Sequence, residues 1–430
     1  MTGQVARPTA CDGAAGLLGR ALPRTGARSL APAARRVALY AAASTHGDAF
    51  DVVEGTRTYR LGKGEPVARV DVHDPRIYAA VLGSGSVGLG AGYVAGWWDA
   101  DDLTGLLRAL FSRVKPLIAR LDRLGRSMSV LRDVPGRLGA PGPVHDRANV
   151  RAHYDVSNEF FELMLDETMT YSCALFENPE ASLEQAQLAK IDKLCAKLDL
   201  GPDDHLVEIG SGWGSFALRA ASKFGARVTT TTISEAQFGY VDKLVAGAGL
   251  ADRVTVLGED WRALGGRYDK LVSVEMIEAV DWRHHGEFLA KCSELLVDDG
   301  LAALQAIVID DRSFERAKYH ADFISSMVFP GGCLPSVASL SASLTRATDL
   351  SMVDLEDMGH HYAETLRRWR ANLVLREAEV ERLCLSAEFR RLWALYLSYC
   401  EAAFLERHVS DVQLVLAKPG RRGALAPRAA

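Results

Sequence analysis

Eight residues, Val207-Glu208-Ile209-Gly210-Ser211-Gly212-Trp213-Gly214, limit what this chain can fold into more than any other stretch. An apolar run ends in three alternating glycines, and a helical pattern from Gly214 to Lys223 follows at once. Glycine lets the backbone turn sharply and lets a ligand approach it closely. The spacing predicts a strand, a tight turn and a helix, with the turn facing a ligand. Apolar strand candidates recur at Leu206 to Ile209, Arg227 to Ile233, Val254 to Leu257, Lys270 to Val274 and Leu301 to Ile307. Helical patterns such as Glu235 to Ala248 separate them, and Asp411 to Ala417 reads as a last strand returning to the sheet. Alternation of this kind predicts an α/β fold with a doubly wound, mainly parallel sheet.

The glycine spacing is G-x-G-x-G rather than the dinucleotide G-x-G-x-x-G, and no P-loop Lys-Ser/Thr follows. Glu208, just ahead of the glycines, suits a ligand carrying amino or hydroxyl groups better than a pyrophosphate. Asp260-Trp261 follows the third strand candidate. An aspartate there can accept from an adenine amine, and an indole can cover the ring. Together these features point to S-adenosylmethionine. The plain alternative is a tight turn in some other α/β protein.

The remaining chain is read around this core. With 430 residues, two to three domains are expected at about 150 residues each. Lys plus Arg is 50 and Asp plus Glu is 55, a net charge of −5, which argues against a chain built to coat nucleic acid. A hydrophobic content of 48% excludes global disorder. Seven scattered cysteines without metal-ligand spacing argue against a disulfide scaffold or a metal site, and for a reducing cytoplasm. No apolar run approaches the roughly 18 residues of a membrane span. Residues 1–45 read as a disordered basic tail, 46–112 as a small α+β domain, and 113–146 as a basic linker. Residues 147–418 read as the main domain and 419–430 as a tail. The small domain holds short strands between Phe50 and Asp74, a glycine-rich stretch Gly83 to Gly90, and a helix from about Leu103 with Asp102 as its cap. The segment from Ser313 to about Arg407 reads as mostly helical. The arginines of the tail and linker, Arg113 among them, read either as a solvated surface or as one facing lipid headgroups.

Several motifs carry a family resemblance over about residues 50 to 417. They are His153-Tyr154-Asp155 with Asn158, Met169-Thr170-Tyr171-Ser172-Cys173-Ala174, Gly210 to Gly214, Thr232-Ile233-Ser234 with Gln237, and Met276-Ile277-Glu278. Further on stand Phe329-Pro330-Gly331-Gly332 with Leu334-Pro335-Ser336, and His361-Tyr362-Ala363 with Thr365-Leu366. With these the chain resembles the cyclopropane-fatty-acyl-phospholipid synthases, class I methyltransferases acting on unsaturated acyl chains. Gly88-Leu89-Gly90, Tyr93 and Gly96-Trp97-Trp98 match the small domain of the phospholipid-acting members. Shorter relatives acting on mycolic acids lack that domain.

The resemblance implies a class I methyltransferase sheet with a small N-terminal domain and helical insertions. It implies that Tyr171 and Ser172 meet the methionine end of S-adenosylmethionine and that Gly210 and Gly212 face its backbone. Thr232 and Gln237 would meet the ribose, and Asp260 and Trp261 the adenine. It also implies a bound bicarbonate acting as base, with ligands at Cys173, Glu278, Ile307 (through its backbone) and Tyr362. The family's ligating histidine stands at 305, where this chain has Gln305, which cannot titrate. Ala279 likewise replaces a common histidine, and Ser326-Met327-Val328 lacks the usual aromatic residue. The Glu-Ala-Val and Gln-Ala-Ile variants resemble a subgroup that includes plant-type synthases and enzymes making methylene or methyl branches.

The expected reaction is methyl(ene) transfer to the double bond of a phospholipid acyl chain. The carbocation formed would lose a proton to bicarbonate and close a cyclopropane. The alternatives are an exomethylene or methyl-branched product made with a flavin-dependent reductase, a small-molecule or protein methyltransferase, and a non-catalytic lipid-binding protein. A homodimer, peripheral contact with the cytoplasmic membrane face and no nucleic-acid partner complete the expectations. Taken singly, Cys173 also reads as a small buried hydrophobe, Glu278 as a helix-start carboxylate and Tyr362 as a core tyrosine. The Gly-Trp-Trp segment reads as domain core or as lipid anchor.

Overall fold

The computed structural model of the protein describes residues 31–43, 47–113 and 157–422. The motif His153-Tyr154-Asp155, most of the basic tail and the linker beyond Arg113 lie outside the described residues. The described chain forms two compact units. One draws on residues 31–113, 319–330 and 373–408, the other on 157–318, 331–372 and 409–422. The smaller unit is therefore not the continuous segment expected at 46–112.

In the first unit, β1 (Asp48–Glu54), β2 (Arg57–Leu61), β3 (Lys63–Val72) and β4 (Trp98–Ala100) form a sheet of order β2-β1-β3-β4. The glycine-rich stretch lies inside the helix Arg76–Val94, which is broken at Gly85, where φ is 56° and ψ −127°. By length and composition this 19-residue helix could cross a membrane, against the sequence expectation. The break leaves pieces of about nine residues, roughly 13 Å each, far short of a 30 Å hydrocarbon core. Gly90 also lies against Phe323, whose ring would clash with any added Cβ. Trp97 and Trp98 are buried, and Trp98 Nε1 donates to the Leu89 carbonyl, so the tryptophan pair is domain core rather than an exposed anchor. Asp102 caps the following helix by accepting from Gly105 N. Arg113, expected on a basic surface, is buried instead, and its guanidinium donates to the carbonyls of Ala109, Asp48 and Leu61. Those three carbonyls are what makes its burial tolerable.

The second unit holds a seven-stranded sheet: β5 (His205–Ile209), β6 (Arg227–Thr231), β7 (Val254–Leu257), β8 (Tyr268–Val274), β9 (Leu296–Ile309), β10 (Ser351–Asp357) and β11 (Val409–Ala417). Its order is β10-β11-β9-β8-β5-β6-β7. β5 to β9 pair in parallel, while β11 runs antiparallel between β9 and β10. β10 falls in the segment expected to be mostly helical. It is a half-exposed edge strand whose pattern Met352-Val353-Asp354-Leu355 gives little apolar signal.

Strand alternation divides the core between the two faces. Leu206, Val228 and Val272 join one cluster, with Ala217 and Ala220 from the helix Ser215–Phe224. Val207, Leu271 and Leu304 join the other, with Phe288 and Leu289 from the helix His285–Leu295. The helix Leu183–Lys197 starts at a Ser182/Gln185 capping box and places Ile191, Leu194, Cys195 and Leu198 on the first face at helical spacing. Burying each large aliphatic side chain contributes about 1.5–3 kcal/mol. The chain runs from β5 outward to β6 and β7, then crosses to β8 on the other side of β5. This reversal opens a crevice at the carboxyl ends of β5 and β8, where such sheets take their ligands.

Candidate active site

The three glycines after β5 have two separate tasks. Gly210, Gly212 and Gly214 have φ of 98°, 51° and 91°, a region other residues adopt only at a cost. A Cβ at Gly214 would come within 3.0 Å of Val241, and one at Gly210 within 3.2 Å of Met276. These two allow close packing. A Cβ at Gly212 would meet no protein atom within 4 Å, and Gly212 lines the crevice. Gly210 N and Ser211 N both donate to the Thr231 carbonyl, which ties the turn to the end of β6.

The crevice is a cavity that all nine expected cofactor residues line: Tyr171, Ser172, Glu208, Gly210, Gly212, Thr232, Gln237, Asp260 and Trp261. Each strand end supplies part of it. Glu208 on β5 is buried, accepts from Thr230 Oγ1 at 2.6 Å, and has its pKa pushed up to about 8 by burial. After β6, Thr232 Oγ1 donates to Gln237 Oε1 at 2.9 Å, which fixes that amide at the start of the helix Glu235–Gly247. After β7, Asp260 caps a short 3-10 turn through Arg262 N. The Arg262 guanidinium lies 4.3 Å from the centre of the Trp261 ring, and the Phe288 ring meets that indole edge-on. At the opposite end, Lys190 Nζ donates to Ser172 Oγ at 2.6 Å, and Tyr171 packs against Phe161 and Trp369.

The five residues expected to do the chemistry, Cys173, Glu278, Gln305, Ile307 and Tyr362, do not line this cavity. They are gathered behind it around a residue that sequence reasoning passed over, Glu275. Glu275 follows β8 directly and lines the cavity. Its Oε1 accepts from Cys173 N at 2.7 Å and from Gln305 Nε2 at 2.9 Å, and its Oε2 accepts from the Tyr362 hydroxyl at 2.5 Å. Gln413 Nε2 on β11 donates to Gln305 Oε1, which aims the other end of that amide at Glu275. Ile307 N donates to Glu278 Oε1. Cys173 acts here through its backbone, since its sulfur turns toward the carbonyls of Ala174 and Met358.

Charge is concentrated in this cluster. Glu275 and Asp411 lie near one buried ammonium, Lys190, and Glu278 lies near Glu275 and Asp411. Burial raises the pKa of Glu275, while its donors and Lys190 oppose that rise. Burial, then the charge of Glu275, pushes Glu278 up to about 8. Asp411 is raised by burial and by both glutamates. Burial lowers Lys190 and raises the Cys173 thiol. The buried Oε2 of Glu278 accepts no hydrogen bond, and the Asp411 carboxyl has beside it the Cys173 thiol, a weak donor. The group best furnished to carry charge is therefore Glu275, and the other two carboxyls are best kept protonated. Two signals for Glu275 were present in the sequence: a carboxylate at a strand end beside the sheet reversal, and a second glutamate three residues later. Lys190 and Asp411 gave none, because they reach the site from the middle of a helix and of a strand.

The family model described as mycolic acid cyclopropane synthetase matches residues 143–414. The tuberculostearic acid methyltransferase UfaA1 of Mycobacterium tuberculosis is 36% identical over 380 residues, covering 85% of this chain and 87% of the relative. The cyclopropane-fatty-acyl-phospholipid synthase of Escherichia coli is 31% identical over 367 residues, covering 84% and 90%. Among solved structures, mycolic acid cyclopropane synthase CmaA1 complexed with SAH and CTAB aligns with a TM-score of 0.59 at 32% identity, covering 63% of this chain and 98% of that one.

Proposed function

Because the chain belongs to the mycolic acid cyclopropane synthetase family, we propose that it methylates the double bond of an unsaturated acyl chain in a membrane phospholipid. The observation that carries this reading is the cavity at the sheet reversal, on which Gly212 opens and which all nine expected cofactor residues line. S-adenosylmethionine fits this donor set and supplies an electrophilic methyl on sulfur when bound. Thr232 and Gln237 would hold the ribose, Asp260 and Trp261 the adenine, and Tyr171, Ser172 and the glycine turn the methionine end. An isolated alkene is a poor nucleophile, so these residues act chiefly by holding the methyl in line and by excluding water.

The bicarbonate expected from the resemblance does not fit these residues. Cys173 N, Gln305 Nε2 and the Tyr362 hydroxyl already donate to Glu275, and Ile307 N donates to Glu278. A further anion would stand against two carboxyls. The proton acceptor therefore belongs to the chain itself.

Of the two products, the methylene or methyl branch is favoured over the ring. The relative at 36% identity is named a tuberculostearic acid methyltransferase, and the one at 31% a cyclopropane synthase. A methyl branch would need a reductase partner, which fits the flavin-dependent enzyme expected above, and a phospholipid substrate places the work at the membrane face. The test is expression in a host rich in oleoyl lipids, followed by mass spectrometry and ozonolysis of its fatty acids. A gain of one CH₂ is expected, in a product whose exocyclic methylene ozone cleaves. A CH₂ gain that resists ozone would assign the ring, and no gain would sink the methyl-transfer reading.

A further inference from the structure

We propose that the carboxylate of Glu275 is the base of this reaction, standing where a free anion would otherwise be held. The proposal rests on the methyl-transfer reading for its substrate, and on geometry for its residue. Three donors from distant parts of the second unit converge on one carboxylate: the Cys173 amide, the Gln305 amide aimed by Gln413, and the Tyr362 hydroxyl. Those are three of the groups the family resemblance assigns to holding an anion. Glu275 alone of the cluster's three carboxyls lines the cofactor cavity. It is also held at φ 48°, a left-handed conformation that glycine adopts freely and a glutamate only under strain. Such strain persists where the surroundings over-determine a residue, as these three hydrogen bonds do.

The step balances without any other reactant. The alkene π pair forms the new carbon–carbon bond as the carbon–sulfur bond breaks onto sulfur, leaving the cation on the acyl chain. Glu275 then takes a proton from the added methyl. The released C–H pair either closes a cyclopropane or, after a 1,2-hydride shift, forms the exocyclic double bond. Burial favours this role, because a carboxylate with a raised pKa is a stronger base. Lys190 and the three donors keep it charged beforehand.

The experiment compares the wild-type protein with Glu275→Gln and Glu275→Gly, each checked for S-adenosylmethionine binding by calorimetry. Glu275→Gly also relieves the backbone and frees the three donors. In bicarbonate-depleted buffer the wild-type protein should form product at its full rate. Glu275→Gln should fall roughly 10²–10⁴-fold, the range lost with acid–base assistance, while still binding the cofactor. Glu275→Gly should be as slow and should recover when bicarbonate is added. A second readout needs no turnover: ¹³C-bicarbonate NMR should show saturable binding to Glu275→Gly and none to the wild-type protein. Saturable binding to the wild-type protein, a wild-type rate that depends on bicarbonate, an unchanged rate in Glu275→Gln, or a Glu275→Gly protein that neither binds nor responds to bicarbonate would each overturn the proposal. Failure of the wild-type protein to modify any unsaturated lipid would sink the methyl-transfer reading instead, and the NMR comparison would still decide whether Glu275 fills the anion position.

Discussion

The cofactor cavity and the carboxylate cluster behind it adjoin one another and are built in opposite ways. Apart from the end formed by Tyr171 and Ser172, the cavity is made of strand ends and the turns that follow them, taken in chain order from β5 to β8. Its residues reach their places because a parallel sheet puts consecutive carboxyl ends side by side. The cluster is made of groups from a helix (Lys190), a loop (the Cys173 amide), two strand bodies (Gln305 and Asp411) and a second helix (Tyr362). It is held together by hydrogen bonds, three of them to Glu275, and by the charge of Lys190. The first design binds by shape and backbone. The second sets where a proton rests.

Variants should separate the two. The largest effect is expected from Gly212→Val on the cavity side. A side chain there meets no protein atom within 4 Å, so the fold should bear it apart from about 1–2 kcal/mol of backbone strain. It would occupy the cofactor's place, and calorimetry should show an affinity loss of roughly 100-fold or more, the equivalent of about 2.7 kcal/mol. Unchanged affinity in the folded variant would put the cofactor elsewhere.

Tyr362→Phe should spare affinity and strike the chemistry. A hydrogen bond to a charged group contributes about 1.5–3 kcal/mol, so turnover should fall roughly 10- to 100-fold. Its pH profile is more telling than its size. The base works when deprotonated, and the tyrosine hydroxyl favours the charged form of Glu275. Without it the pKa rises, and the acid limb of the rate profile should move to higher pH. An acid limb that stays in place would show that Tyr362 does not act through Glu275.

The smallest effect concerns stability. Glu278 titrates near 4.3 when unfolded and is pushed up to about 8 in the fold. Below about pH 4 both states carry the proton and the group favours neither. As pH rises toward 8 the unfolded chain ionises first, so the folded state progressively loses ground. Glu278→Gln keeps an acceptor for Ile307 N and carries no charge. Its thermal midpoint should match the wild type near pH 4 and exceed it near pH 9, by about 2–4 °C for each kcal/mol regained. A lower midpoint at pH 9 would mean that the folded protein needs the ionised carboxylate.

The same contrast explains what could be read from the sequence. The glycine turn, Thr232 with Gln237, and Asp260 with Trp261 were legible because strand, turn and helix signals place them without knowledge of packing. Glu278, Tyr362 and Ile307 were placed near the chemistry only by resemblance, and their partners were not foreseen. Glu275 stood in plain view beside Glu278. It was passed over because its importance lies in three donors that arrive from positions 30 to 102 residues away. β10 was missed because an edge strand with one half-exposed face carries little period-2 signal. Arg113 was read as surface because an arginine's burial depends on carbonyls that folding brings to it.

One feature of the sheet governs when the site can exist at all. β11 is the final strand of the described chain, yet it lies between β9 and β10 rather than at an edge. During synthesis the ribosome releases every other strand of that sheet first. Until residues 409–417 emerge, β9 presents an unpaired edge, the kind of backbone that invites mispairing. Over the same interval Gln305 lacks the Gln413 amide that aims it, and Asp411 is missing from the cluster. Closure of the sheet and completion of the proton-accepting site are thus one late event, so a chain interrupted before Val409 would have the whole cofactor turn and an unfinished active centre.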